Sequence, residues 1–101
     1  MSDGVTDNRE LERYEISVDG VPAGFAQYRI RPGLIAFIHT EVDPSFEGTG
    51  VGSRLAKAAL EDARERGLAV LPFCPFINAF IERHREFAEL VPEADRERFG
   101  L

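Results

Sequence analysis

Apolar and polar residues alternate along the early part of the chain with the period of two that is typical of β-strands. One such segment is Arg13 to Val18, and a second runs roughly from Val21 to Arg31. Between them lies Asp19-Gly20, and a two-residue Asp-Gly connection favours a type I′ hairpin. We therefore predict that these two strands pair antiparallel.

A third strand is predicted at about Leu34 to Val42, after a turn at Pro32-Gly33. Its residues are mostly apolar on both sides, which is typical of a central strand covered on both faces. His39 and Glu41 interrupt this apolar pattern. We expect the strand to lie in the interior of the sheet.

The spacing of the apolar residues then changes to that of a helix. Within Val51 to Arg66 they recur every four residues, and Gly67 follows as a helix stop. The short apolar segment from Leu68 to Phe73 is consistent with a buried strand. A strand, a helix and a strand in this order form a right-handed crossover, so we predict that the last strand lies parallel to the third.

The last predicted element is a second helix that begins near Pro75, since proline suits the first turn of a helix. Five positions then share one face at helical spacing, namely Ile77, Phe80, Ile81, His84 and Phe87 or Ala88. Residues 91–101 are charged and give no clear prediction. The predicted fold class is therefore α/β (α+β), with an antiparallel meander of three strands, a strand–helix–strand crossover and a C-terminal helix.

Length and composition limit the remaining choices. The 101 residues, 44% hydrophobic and 30% charged, fit one small globular domain at residues 11–101. Residues 1–10 are polar, so we predict a disordered tail and neither a signal peptide nor a transit sequence. The single cysteine excludes an internal disulfide and leaves too few thiolates for a structural zinc site. We expect a cytoplasmic protein.

Charge and hydropathy narrow the classes of partner. A net charge of −6 argues against broad nucleic-acid binding, because that binding needs positive charge arrayed against phosphates. No apolar run approaches the roughly 20 residues that span a bilayer, so we expect no membrane insertion. We expect a monomer or a weak dimer. Any anionic ligand must be held locally.

Three glycines at alternate positions, Gly48, Gly50 and Gly52, lie between the third strand and the first helix. A helix N-terminus carries unpaired N–H groups and the positive end of the peptide dipole, so this loop is suited to hold a phosphate. A flexible loop before a helix is the alternative, and the glycines alone do not decide between the two. The loop has no Gly-Lys-Ser/Thr of a P-loop, and the chain is too short for a paired Rossmann unit.

The sequence Glu47-Gly48-Thr49-Gly50-Val51-Gly52 resembles the acyl-CoA pyrophosphate loop of the GNAT superfamily of N-acetyltransferases, whose pattern is Gln/Arg-x-x-Gly-x-Gly/Ala. The region from His39 to Phe87 is similar to a subgroup of small members that lack the usual N-terminal helices. The resemblance implies acetyl-CoA as acyl donor, no metal, and a strand after the helix that splays away to admit the pantetheine arm. It also implies the cofactor contacts, at Val42, Glu47, Gly48, Thr49, Gly50, Val51, Gly52 and Ser53.

Two departures from the family pattern affect the chemistry. Glu47 is an acid where the family normally has Gln or Arg, which places a negative charge near the expected pyrophosphate. Many members use a tyrosine on the helix after the last parallel strand to protonate the leaving thiolate. Here that helix offers Phe80, Ile81 and Phe87 instead, while Tyr14 and Tyr28 lie on early strands.

The candidate catalytic residues each have a structural alternative. His39 and Glu41 lie two residues apart on the third strand, so they share a face about 6.5 Å apart, and either is placed to take a proton from an ammonium substrate. The alternative is a hydrogen-bonded sheet histidine and a solvated carboxylate. Cys74 has two possible catalytic roles. It either replaces the missing tyrosine as proton donor, with His84 as a partner, or accepts the acetyl group itself. The structural alternative is that Cys74 is a small buried hydrophobe.

The first functional hypothesis is an acetyl-CoA-dependent N-acetyltransferase that acts on a primary amine by direct attack in a ternary complex. The acidic surface favours a small cationic amine or a basic peptide as acceptor, and the absence of N-terminal helices predicts an open substrate pocket. The second hypothesis is a non-catalytic acyl-CoA-binding or regulatory module. The third is an interaction domain whose glycine loop binds nothing.

Overall fold

The computed structural model describes residues 4–101, and in that part of the chain five β-strands form one sheet in the order β1-β2-β3-β4-β5. The strands are Val5–Asn8 (β1), Arg13–Val18 (β2), Val21–Arg31 (β3), Leu34–Val42 (β4) and Ala69–Pro72 (β5). The α-helices are Val51–Glu65 (α1), Pro75–Arg83 (α2) and Glu93–Arg96 (α3), and the 3-10 turns are Pro44–Phe46, Arg85–Leu90 and Glu97–Phe99.

The sheet confirms the predicted fold class. The pairs β1–β2, β2–β3 and β3–β4 are antiparallel, and the pair β4–β5 is parallel. Both residues of the turn between β2 and β3 have positive φ, 50° at Asp19 and 78° at Gly20, as a type I′ turn requires. Helix α1 supplies the crossover between β4 and β5, because it starts after β4 and ends at Glu65.

The predicted disordered tail is wrong for residues 4–10, and residues 1–3 lie outside the described part of the chain. Val5–Asn8 form the edge strand β1, paired with β2, and Val5 is buried. The carboxylate of Asp7 accepts a hydrogen bond from the Tyr28 hydroxyl at 2.6 Å and is 3.4 Å from the Arg66 guanidinium. Polar composition suggested disorder, but these polar side chains have partners distant in sequence.

One face of the sheet carries the core and the other is open. The apolar stripe of α1, including Leu55, Ala59 and Leu60, packs with α2 against the face that bears Tyr14, Phe37 and other buried residues. The expectation that β4 is covered on both faces is wrong. Its outward residues Ile38, His39 and Glu41 are exposed, because among residues 4–101 no helix packs on that side.

Helix α2 is shorter than its apolar pattern predicts. It ends at Arg83, and His84 leaves the helical conformation with φ −126° and ψ 75°. The His84 imidazole stacks on Phe80 with the ring centroids 4.1 Å apart, and its Nδ1 lies 3.0 Å from the Phe80 carbonyl oxygen. The following 3-10 turn still buries Phe87, so the apolar face continues although the α-helix does not. No helix within residues 4–101 combines the length and the apolarity that crossing a membrane requires.

Candidate functional site

The parallel strands β4 and β5 part at the carboxyl end of the sheet. They pair from Leu34–Ala69 to Phe37–Pro72, and a last hydrogen bond runs from the Cys74 N–H to the Phe37 carbonyl at 2.9 Å. β4 continues to Val42, whereas the chain after β5 turns into α2. Among residues 4–101, the second half of β4 therefore has no strand partner on this side, and we call this unpaired edge the gap. Crevices at the carboxyl ends of parallel strands are common ligand sites.

The glycine loop borders this gap. It begins with the 3-10 turn Pro44–Phe46, which Asp43 caps by accepting a hydrogen bond from the Ser45 N–H at 2.9 Å. Hydrogen bonds from the Ser45 side chain and backbone lower the pKa of Asp43. Gly48 and Gly50 follow with φ of 80° and 83°, a left-handed conformation that glycine adopts without cost. The loop is exposed to solvent.

Helix α1 starts immediately after Gly50 and presents its N-terminus to the loop. Its first hydrogen bond runs from the Arg54 N–H to the Gly50 carbonyl at 3.1 Å, so the N–H groups of Val51, Gly52 and Ser53 precede the helical hydrogen bonding. Three such donors at the positive end of the helix dipole fit a pyrophosphate. Exposed Glu47 is the opposing feature, since its carboxylate repels an anion.

The remaining loop residues have local roles. The Thr49 N–H donates to the Phe46 carbonyl at 3.2 Å, so it is used inside the turn. The Val51 side chain is buried in the core, which anchors the start of the helix. Among the residues that the resemblance singles out, the backbone N–H groups after Gly50 are therefore best placed for a ligand.

Gly52 has a packing role that the sequence did not indicate. An ideal Cβ on Gly52 would lie 2.6 Å from Cζ of Phe76 and 3.3 Å from Cγ2 of Val42. The Phe76 ring, on the first turn of α2, therefore lies directly against α1 and close to the end of β4. The absence of a side chain at residue 52 lets these three elements meet at the edge of the gap.

Cys74 lies at the predicted position, between β5 and α2. It is 2% exposed, and its Sγ is 3.2 Å from the Thr40 Oγ1, to which the thiol donates a hydrogen bond. Thr40 was not predicted. Only the strand pairing shows that Thr40 belongs to this site. Thr40 lies opposite buried Ala26 and therefore faces the helices. His84 is not the partner of this thiol, since its ring contacts Phe80.

His39 and Glu41 share one face of β4, as predicted, with His39 Nε2 3.7 Å from Glu41 Oε1. That face is the open one. The ladder pairs Phe37 with Tyr28 and His39 with Gln27, so Ile38 is an extra residue in a β-bulge. The bulge reverses the alternation, which brings Thr40 to the Cys74 side and sends His39 and Glu41 to the other. The structure therefore does not bring Cys74 together with His39 and Glu41.

The tyrosines of β2 and β3 are buried and take part in partly buried hydrogen bonds on the core side of the sheet. The Tyr14 hydroxyl donates to Asp62 at 2.5 Å, and the Tyr28 hydroxyl donates to Asp7 at 2.6 Å. Burial, followed by these hydrogen bonds, raises the pKa of both hydroxyls above the ordinary value. Neither is suited to release a proton at neutral pH. Within residues 4–101, no group of three or more His, Cys, Asp or Glu residues is arranged to hold a metal ion.

Comparison with known proteins gives consistent results. Residues 13–90 match the family model described as GCN5-related N-acetyl-transferase. A protein from Staphylococcus aureus described as GCN5-like, whose solution structure was determined by NMR, is 25% identical, with 91% of each chain covered and a TM-score of 0.67. Comparison with curated proteins finds no match.

A more distant structure shares the fold alone. The ribosomal-protein-S18-alanine N-acetyltransferase of Escherichia coli is 18% identical, with a TM-score of 0.55. The similarity covers 69% of the present chain, which spans 42% of the length of that enzyme.

Proposed function

Because the chain belongs to the GCN5-related N-acetyltransferase family, we propose that it transfers an acetyl group from acetyl-CoA to a primary amine by direct attack in a ternary complex. The observation that carries the proposal is the N-terminus of α1. Its unpaired N–H groups, after a loop of left-handed glycines, adjoin the gap between β4 and β5. An anionic group at the loop directs the rest of an extended ligand along that gap.

The chain's residues have separate roles in this proposal. The N–H groups of Val51, Gly52 and Ser53 hold the pyrophosphate, and the backbone at Val42 holds the pantetheine arm or the carbonyl oxygen of the thioester. Bound acetyl-CoA supplies an activated acetyl group. Phe76 and Val42 border its route.

Proton transfer uses groups on the two faces of β4. Glu41, with His39 beside it, accepts a proton from the acceptor ammonium, so that the neutral nitrogen attacks the carbonyl carbon and the carbon–sulfur bond breaks. Cys74 donates its thiol proton to the departing sulfur, the second proton that the nitrogen loses as the amide forms restores the thiol, and Glu41 releases its proton to solvent. Thr40, which accepts the Cys74 hydrogen bond, orients the thiol. The net products are an amide, free CoA and one proton.

A non-catalytic acyl-CoA-binding module is the second candidate, and a specific observation favours it. Cys74 is buried, and His39 and Glu41 lie on the opposite face of β4, so the arrangement is not one compact catalytic cluster. Under this second hypothesis, the loop holds the cofactor and the acetyl group is not transferred. A turnover assay separates the two candidates.

Calorimetric titration with acetyl-CoA, CoA and ATP tests the cofactor site. We expect both CoA species to bind and ATP to bind at least about tenfold more weakly, because only CoA has an arm to occupy the gap. Equal binding of all three contradicts the pantetheine route, and no binding contradicts the site. Release of CoA thiol in the presence of a panel of amines then separates the enzyme from the binding module.

We further propose that the protein is cytoplasmic and a monomer or weak dimer.

A further inference from the structure

A recess of about 770 Å³ lies on the open face of the sheet, on the opposite side of β4 from Cys74. It extends over β2 and β3 to the end of β4 and the following turn. The residues that determine its chemistry are Arg13, Glu15, Phe25, Glu41, Val42 and Asp43. Its size is that of a small-molecule site.

The cross-strand register defines the arrangement inside the recess. Glu15 on β2 pairs with Phe25 on β3, and Phe25 pairs with Glu41 on β4, so the three side chains form one row on the open face. Since neighbouring strands lie about 4.8 Å apart, the backbones of the two glutamates are separated by roughly 10 Å. Phe25 is the middle residue of this row.

Arg13 shows what kind of group the row accommodates. Its guanidinium carbon lies 4.6 Å from the centre of the Phe25 ring, and its Nε donates to the Glu15 carboxylate at 2.6 Å. A cation is thus held by a ring face and a carboxylate together, which is the usual chemistry of ammonium recognition. Three carboxylates against one guanidinium leave the recess with a formal charge of −2.

The recess also meets the proposed cofactor site at one residue. Val42 lines the recess, and its Cγ2 would be 3.3 Å from a Cβ on Gly52 in the first turn of α1. Glu41, the proposed base, is adjacent to Val42 and closes this end of the row. Glu15 and Phe25 lie farther from the cofactor, where they are placed to hold a part of the acceptor that does not react.

We propose that the recess binds a linear aliphatic polyamine, with one nitrogen at Glu41 for acetylation and a second cation at Glu15 and Phe25. This inference rests on the proposed function. The roughly 10 Å between the glutamate backbones favours such a chain over a single ammonium group, because one small cation cannot reach both ends of the row. Binding displaces the Arg13 guanidinium from Phe25 and Glu15.

NMR titration of the whole chain, with amide resonances assigned, tests the proposal with spermidine as the probe and butylamine as the single-charge control. We expect spermidine to shift the amides of Gly24, Phe25 and Glu41, and to bind at least about tenfold more tightly than butylamine because it makes the second contact. A separate titration with CoA should shift the amides of residues 48–53. A lysine-containing basic peptide is a further arm of the experiment.

Two charge-matched variants sharpen the test. Glu15→Gln should weaken spermidine binding about fivefold, whereas Glu61→Gln, on the exposed surface of α1, should leave it unchanged. Arg13→Ala should strengthen spermidine binding about twofold, because the Arg13 guanidinium no longer competes for Glu15 and Phe25. Equal weakening by Glu15→Gln and Glu61→Gln would mean non-specific attraction to an acidic protein and would overturn the proposal.

The outcomes for the two proposals are distinguishable. Binding of CoA at residues 48–53 without any effect of spermidine on the recess overturns the polyamine site alone. Absence of CoA binding at the loop overturns the proposed function, whatever spermidine does. Binding of the basic peptide in the recess without spermidine binding identifies a peptide acceptor and also overturns the polyamine proposal.

Discussion

The ring of Phe76 packs directly against Gly52, in the space that a side chain would occupy. A Cβ at residue 52 would lie 2.6 Å from Cζ of Phe76. Gly52 lies in the first turn of α1 and Phe76 in the first turn of α2, so the contact joins the N-termini of two helices. The contact lies beside the gap in which we propose that acetyl-CoA binds.

Gly52→Ala should therefore destabilise the protein by about 1–3 kcal/mol, since the added carbon overlaps an aromatic ring. In a helix without this contact, the same change would stabilise by up to about 1 kcal/mol. The double variant Gly52→Ala/Phe76→Leu should be more stable than the sum of the two single effects predicts. Urea denaturation measures all three, and a stabilising Gly52→Ala would contradict the contact.

Gly50 and Gly67 provide a matched pair for the cofactor loop. Both have positive φ, 83° and 68°, and a Cβ at either would meet nothing within 4 Å. Each change to alanine should cost a similar 1–2 kcal/mol, roughly, because the left-handed conformation is strained. Only Gly50→Ala, at the N-terminus of α1, should also weaken CoA binding in calorimetry. Equal affinities in the two folded variants would show that the loop does not hold the pyrophosphate.

Glu47 places a negative charge in the same exposed loop. Glu47→Gln should increase CoA affinity by up to about fivefold, and the increase should be larger at low salt because the repulsion is screened by ions. The Glu61→Gln variant controls for the change in net charge. Weaker binding by Glu47→Gln would show that this carboxylate organises the loop instead of opposing the ligand.

Cys74→Ala tests the proposed proton donor. Turnover should fall about 100-fold with CoA affinity unchanged, the usual effect of losing a general acid. Intact mass spectrometry of the wild-type protein with acetyl-CoA and no amine should show no acetyl adduct, because the proposed attack is direct. Thr40→Val removes the acceptor of the thiol hydrogen bond and should give a smaller loss. Full activity of Cys74→Ala would end the proton-donor role.

The buried tyrosines predict a loss of stability in alkali. The pKa of Tyr14 is raised by burial and by its hydrogen bond to Asp62, so this hydroxyl stays protonated in the folded protein. The unfolded chain releases the proton above about pH 10, so the stability is complete below that pH and decreases as the pH rises further. Tyr14→Phe should lose less stability than wild type between about pH 8 and about pH 11. Equal losses in urea denaturation would contradict this coupling.

The sequence by itself determined the elements from β2 to the start of α2, and their order. The alternation in β2 and β3, the Asp19-Gly20 turn and the stripe of α1 are local patterns, and each agrees with the structure to within one or two residues. The glycine loop could also be predicted from the sequence, because positive φ is a local requirement that glycine satisfies. The parallel pairing of β5 agrees with the prediction from the strand–helix–strand order, since a helix between two neighbouring strands returns the chain to the edge where the first strand began.

Only the tertiary structure decided which side chains meet. A β-bulge at Ile38 determines the face on which His39, Thr40 and Glu41 lie, and an extra residue in a ladder leaves no signal in an apolar run. β1 is ordered by contacts of Asp7 with Tyr28 and Arg66, which lie distant in the chain. The same holds for Gly52 and Phe76. Local preferences select strands and helices, whereas register and long-range packing are set by the complete fold.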